Sequence, residues 1–179
     1  MTDGGTGGEL RFTVRRLEPH EWQRFRDLRL EALADAPSAF ITTMEQALAA
    51  PEAQWRERIA ASPHFLAEAG GQPAGIAVGF LHDGAPELVG MWVKPWARGA
   101  GAVQVLLEAV GGWAAEEGHA ELVLWVVVGN ERAERAYRRH GFVHTGRSQL
   151  VPGRPADTEV EMAMALRAPG AALPSPGEP

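Results

Sequence analysis

Cysteine is absent from all 179 residues. That excludes a disulfide scaffold, a thiol nucleophile and every thiolate metal site, and it fits a reducing compartment. Long hydrophobic runs are also missing, and none approaches the roughly 20 apolar residues of a membrane span. The opening MTDGGTGGEL has no basic stretch followed by an apolar one, so no signal peptide is expected. Positive charge is scarce: 17 Lys and Arg stand against 23 Asp and Glu, a formal net charge of −6. No basic stripe offsets that balance, which argues against a nucleic-acid partner. His82, His119, His140 and His144 are scattered without metal-ligand spacing, so no metal site is expected. These absences point to a cytoplasmic protein with neither a membrane nor a nucleic-acid partner.

What remains is ordinary globular material, 45% hydrophobic and 22% charged, long enough for one domain whose core needs no staples. Residues 1–9 are Gly-rich and read as a flexible start, residues 10–167 as the domain, and residues 168–179 as a disordered tail without hydrophobic periodicity. LRFTVRRL (10–17) alternates as a half-buried strand. Residues 19–37 carry Trp22, Phe25, Leu28 and Ala32 on one helical face and stop at Pro37. Residues 38–50 carry no clear signal, and PEAQWRERIAAS (51–62) opens with a proline suited to a first helical turn. HFLAEA, AGIAVGFLH and ELVGMWV, separated by GGQP and DGAP, form an antiparallel meander. In its last strand Glu87, Val89, Met91 and Val93 are expected to share one face.

From Ala100 the period changes. Val103, Leu106, Leu107 and Val110 recur as a helix facing a sheet. ELVLWVVV (121–128) is apolar on both faces, as a central strand should be. NERAERAYRRH (130–140) is a helix capped by Asn130 and stopped by Gly141, with acids at its start and arginines at its end. Two strands near 142–151 and 157–166 finish an α/β (α+β) domain with a mixed sheet.

The loop RGAGAV (98–103) sits between the meander and the helix. A helix start presents free N–H groups, and glycines let a backbone approach an anion closely. A P-loop would need Lys followed by Ser or Thr where AVQVLL stands. A dinucleotide turn would need a third glycine where Gln104 stands. Its ribose-binding acid should also end the next strand, whereas Glu121 begins it.

The stretch ELVGMWVKPWARGAGAVQVLLEAV followed by LVLWVVVGNERAERAYRRHGF resembles the GNAT superfamily of acyl-CoA-dependent N-acetyltransferases, bacterial type. The resemblance is carried by R-x-x-G-x-[GA] at 98–103 and N-x-x-A-x-x-x-Y-x-x-x-G-F at 130–142, and the element order extends it over 10–167. It implies a mostly antiparallel sheet of about seven strands with helices on both faces. It also implies acetyl-CoA as co-substrate and transfer of acetyl to a small-molecule or peptide amine by direct attack. The backbone of Arg98, Gly99, Ala100, Gly101, Ala102 and Val103 would cradle the pyrophosphate. The strands at 87–93 and 121–128 would splay and admit the pantetheine arm, paired by Met91, Trp92 and Val93 and touched by Asn130. Tyr137, the only tyrosine, would protonate the departing sulfur, and Glu87 would take the amine proton, with His82 as second choice. Val103 departs from the family's small residue, so its methyls are expected to crowd the cradle without closing it. Phe40, Met44, Trp92 and Glu159 are candidates for the acceptor wall. A homodimer through the terminal strands is a further implication. Two other readings stay open: a silent acyl-CoA or ligand-binding protein of the same fold, and a nucleotide-dependent α/β protein using RGAG for another phosphate.

Overall fold

The structure, a computed structural model, describes residues 10–166. The flexible start and disordered tail expected from sequence lie outside the described residues.

Strand β1 (Thr13–Arg16) leads into helices α1 (Trp22–Asp35), α2 (Met44–Ala49) and α3 (Glu52–Ala61). The meander follows as β2 (His64–Ala69), β3 (Gln72–His82) and β4 (Ala85–Val93). Helix α4 (Ala102–Glu116) crosses to β5 (Glu121–Val127), and α5 (Glu131–Arg139) precedes the hairpin β6 (Val143–Val151) and β7 (Arg154–Ala165). All seven strands join one sheet in the order β1-β2-β3-β4-β5-β7-β6, antiparallel except where β4 meets β5. This is the mixed, mostly antiparallel architecture expected from sequence. Among the described residues, no helix is long and apolar enough to cross a membrane.

Helices cover both faces because both faces are apolar. Leu106, Leu107 and Val110 of α4 pack on Ala77, Leu88, Leu122 and Leu124. On the opposite face Phe25, Leu28, Trp55 and Ile59 of α1 and α3 pack on Leu66, Ile76 and Trp92. Two glycines of β3 let α4 lie flat. A Cβ at Gly79 would stand 2.5 Å from the Trp113 ring, and one at Gly75 would stand 2.7 Å from the Trp92 carbonyl oxygen. A side chain at Gly79 would lift α4 and, with it, the loop at its start, and one at Gly75 would push on β4 as well as on Leu106 of α4.

The segment without a clear sequence signal contains α2. Thr43 caps it: its hydroxyl accepts from the Gln46 N–H at 3.2 Å, and the Gln46 side chain returns a bond to the Thr43 N–H at 2.9 Å. That reciprocal pair is a capping box, and its T-x-x-Q spacing was legible.

One expectation is corrected. Glu87, Val89, Met91 and Val93 do not share a face. The β3–β4 register shifts between Ile76↔Trp92 and Val78↔Val89, so Gly90 and Met91 form a bulge with Gly90 at φ 61°. Beyond the extra residue the alternation inverts. Val89 packs on the α1–α3 side, whereas Met91 and Val93 pack on the α4 side.

Candidate active site

Seven register pairs tie β4 to β3, yet its other edge meets β5 at a single pair, Glu87↔Val123. The rest of that edge has no strand partner, because α5 leaves β5 only a few residues later and β7 takes β5's far side. Two cavities lie along the gap. One, of ≈ 310 Å³, opens beside α4 and α5, and the other, of ≈ 570 Å³, opens beside α1, α3 and β7. Phe40, Met91, Asn130, Ala133 and Tyr137 line both, so the two meet there.

The smaller cleft gathers most of the binding residues expected from sequence. Met91, Trp92 and Val93 supply one wall, Arg98, Gly99 and Val103 the helix-start corner, and Asn130 and Tyr137 the side toward α5. Ala100 and Gly101 form the exposed turn, and Ala102 is buried with its methyl in the core. Gly99 (φ 75°) and Gly101 (φ 105°) both use backbone that favours glycine, and nothing lies within 4 Å of where a Gly99 Cβ would stand. Val103 packs against the core and still borders the cleft. Asn130 caps α5, accepting from the Ala133 N–H at 3.2 Å.

Arg98 borders the cleft, and its side chain has partners of its own. Its Nε donates to the Val93 carbonyl at 2.9 Å, and its Nη2 is held in an ion pair by Asp35. Asp35 also accepts from Trp92 Nε1 at 2.9 Å, and these bonds hold its carboxyl below the usual range. The guanidinium therefore ties the end of α1 to the end of β4. The cleft's positive charge comes instead from Arg132, Arg135 and Arg139 of α5, which border it. Among the described residues Arg132 and Arg139 have no ion-pair partner. Their i, i+3, i+7 spacing puts them on one helix face, a signal the sequence reading missed. An open glycine corner, free helix-start amides and unpaired arginines suit a polyanionic ligand such as a coenzyme A pyrophosphate.

Tyr137 stands at the junction, edge-on to Phe142 with ring centroids 5.7 Å apart. Burial pushes its phenol up to about 12, so it keeps its proton at neutral pH. Glu87 faces the larger cavity. Burial raises its pKa above the ordinary carboxylate value, Glu159 and Glu161 add to the rise, and His82, whose Nδ1 lies 3.5 Å away, opposes it. Of the four wall candidates, Phe40 and Glu159 line the larger cavity, Trp92 lines only the smaller cleft, and Met44 lines neither. Met44 instead packs with the α1–α3 core. Among the described residues there is no group of three or more His, Asp or Glu side chains able to hold a metal ion.

Residues 22–142 match the model of the acetyltransferase (GNAT) family. Among solved structures, the acetyltransferase of GNAT family from Streptococcus pneumoniae superposes with a TM-score of 0.71 at 19% identity, over 88% of this chain and 100% of that one. The structure of yncA from Salmonella typhimurium, solved with its cofactor acetyl-CoA, gives 0.66 at 20% identity over 90% and 99%. A GNAT superfamily phosphinothricin acetyltransferase from Sinorhizobium meliloti, in complex with acetyl-CoA, gives 0.68 at 19% over 93% and 94%. At these identities the likeness is one of fold. No curated protein matches the chain in sequence.

Proposed function

The chain belongs to the GNAT acetyltransferase family, an acyltransferase family, and from that premise we propose that it moves an acetyl group from acetyl-CoA to a primary amine by direct attack. The observation that carries this reading is the parting of β4 from β5 after one register pair, with a cleft on each side and Tyr137 where the clefts meet. A small-molecule or peptide amine is the acceptor, and cytoplasmic chemistry fits a chain without cysteine.

Acetyl-CoA, when bound, supplies the acetyl group as a thioester whose sulfur leaves as the amine attacks. The amides from Gly99 to Val103, with Arg132 and Arg139, hold the phosphates. The Gly90–Met91 bulge leaves backbone groups outside the β3 register, free to pair along the pantetheine arm and to donate where negative charge develops. Glu87 takes one proton from the acceptor's ammonium at its carboxylate, which leaves the neutral amine that attacks, and its raised pKa brings it nearer neutrality, where a base works best. Tyr137 gives its phenolic proton to the departing sulfur. The C–N bond forms, the C–S bond breaks, the nitrogen gives its second proton to solvent, and solvent returns the proton from Glu87 to Tyr137. The outer strand β6, exposed along all but its last residue, supports a homodimer through the terminal strands.

Calorimetric titration with acetyl-CoA, with dephospho-CoA, NAD and ATP as controls, tests the assignment. Saturable binding that favours acetyl-CoA is expected. Binding of NAD or ATP in its place would contradict it.

A further inference from the structure

Three arginines line the larger cavity and the acyl-transfer chemistry uses none of them; Arg154 is paired with Asp157, which leaves Arg29 and Arg58. Arg29 of α1 projects from the α1–α3 side, with its Cζ 4.2 Å from the centre of the Phe40 ring. Its Nη1 lies 3.1 Å from where a Cβ on Gly90 would stand, so its tip rests on the β4 bulge. Burial pushes its pKa down to about 10, with Arg58 nearby adding to the shift, and it remains charged at neutral pH. Arg58 of α3 lines the same cavity, its Cζ 4.9 Å from the Trp55 ring. Among the described residues neither guanidinium has a hydrogen-bond or ion-pair partner. A partly desolvated arginine without an anion is unfavourable, and an anion at this position would relieve it.

The other end of the cavity has the opposite sign. Glu87 reaches it from β4 and Glu159 from β7, and Glu159 is buried with a neutral partner, the Gln149 amide at 2.8 Å. Glu87 and Gly90 are three positions apart on β4, roughly 10 Å of strand. The cavity thus carries both signs of charge, and Phe25, Phe40 and Trp125 give it apolar wall. His64, which also lines it, stays neutral near pH 7 because burial pushes its pKa down to about 4. The positive end therefore belongs to Arg29 and Arg58.

Resting on the acetyl-transfer reading, we infer that the acceptor is zwitterionic: a primary amine that also carries an oxyanion, as an α-amino acid does. The ammonium lies toward Glu87 and Glu159, and the carboxylate is forked by Arg29 with Arg58 behind it. A planar guanidinium recognises a carboxylate through two parallel hydrogen bonds, which fixes the direction in which the acceptor enters. The apolar wall takes the acceptor's side chain.

The test uses matched acceptors: L-phenylalanine, L-leucine and L-methionine, each set against its decarboxylated amine. Free-thiol release is followed with wild type, Arg29→Gln and Arg29→Lys. Equilibrium binding of the same six compounds, and of acetyl-CoA, is measured in parallel. At least one acid should exceed its amine by about tenfold or more in kcat/KM. Arg29→Gln should abolish that preference, chiefly through KM, and leave the paired amine and the acetyl-CoA Kd unchanged. Arg29→Lys should keep part of the preference, because it keeps the charge and loses the fork. Equal or better use of the amines by wild type overturns the inference. So does an equal loss for acid and amine in Arg29→Gln, or failure of all three acids to bind at millimolar concentration. If acetyl-CoA itself does not bind, the acetyl-transfer reading fails. The acid-against-amine binding comparison then decides the oxyanion site by the same criteria.

Discussion

The two cavities that flank the β4–β5 gap are built by different means. The α4–α5 cleft is made of backbone and helix ends: a glycine corner, helix-start amides, the Asn130 cap and a face of arginines. The larger cavity is made of side chains drawn from α1, α3, β4, β5 and β7, with its charges divided between its ends. Backbone cradles depend on local sequence, so they recur as short motifs. Side-chain walls depend on which distant residues the fold brings together. One cavity should therefore tolerate side-chain changes in its binding step, while the other should be reset by single substitutions.

Glu87→Gln should have the largest effect on that contrast. Removing a general base costs about 10²–10⁴-fold. We expect kcat/KM to fall by about that range, with the acetyl-CoA Kd unchanged by calorimetry. The pH–rate profile should also lose a limb whose midpoint lies above the ordinary carboxylate value. A wild-type profile and rate in the variant would remove Glu87 from the chemistry.

His64 gives the larger cavity a pH dependence of its own. Its folded pKa, about 4, lies below the ordinary 6.5, so the unfolded chain takes up the proton first. Its contribution to stability is fully present above pH 6.5 and is lost as the pH falls toward 4, roughly 3 kcal/mol in all. Urea unfolding at pH 7 and pH 4.5 should show a smaller loss in His64→Gln than in wild type. An equal loss in the two proteins would place the acid sensitivity elsewhere.

The smallest effect is expected in the cleft. Val103→Gly removes methyls that border it and should tighten acetyl-CoA binding by about threefold, under 1 kcal/mol. Equal or weaker binding would show that the methyls are no obstacle, or that the added glycine loosens the helix start.

This contrast also explains what could be read from the sequence. Strand and helix order followed from periodicity, and the cleft was expected from R-x-x-G-x-[GA] and the motif at 130–142 that holds α5, because both features are local. The Arg98–Asp35 pair joins residues 63 positions apart, and no spacing rule connects them. The Gly90–Met91 bulge inverts which residues of β4 face which cavity, and a glycine in a strand was its only sequence mark. Met44 was a wall candidate because the resemblance places its segment beside the acceptor, with core packing as the alternative; it packs against the core. Nothing in the local sequence singles out Arg29. Only the packing of α1 over Phe40 and β4 shows that it lacks a partner.

The central claim is that chemistry occurs where the two cavities meet, at Tyr137. The most direct measurement is free-thiol release at saturating acetyl-CoA by wild type and Tyr137→Phe, with acetyl-CoA affinity determined in the same preparations. The account predicts that kcat falls by about 10²-fold on loss of the acid while the affinity stays near wild type. An unchanged kcat would contradict it.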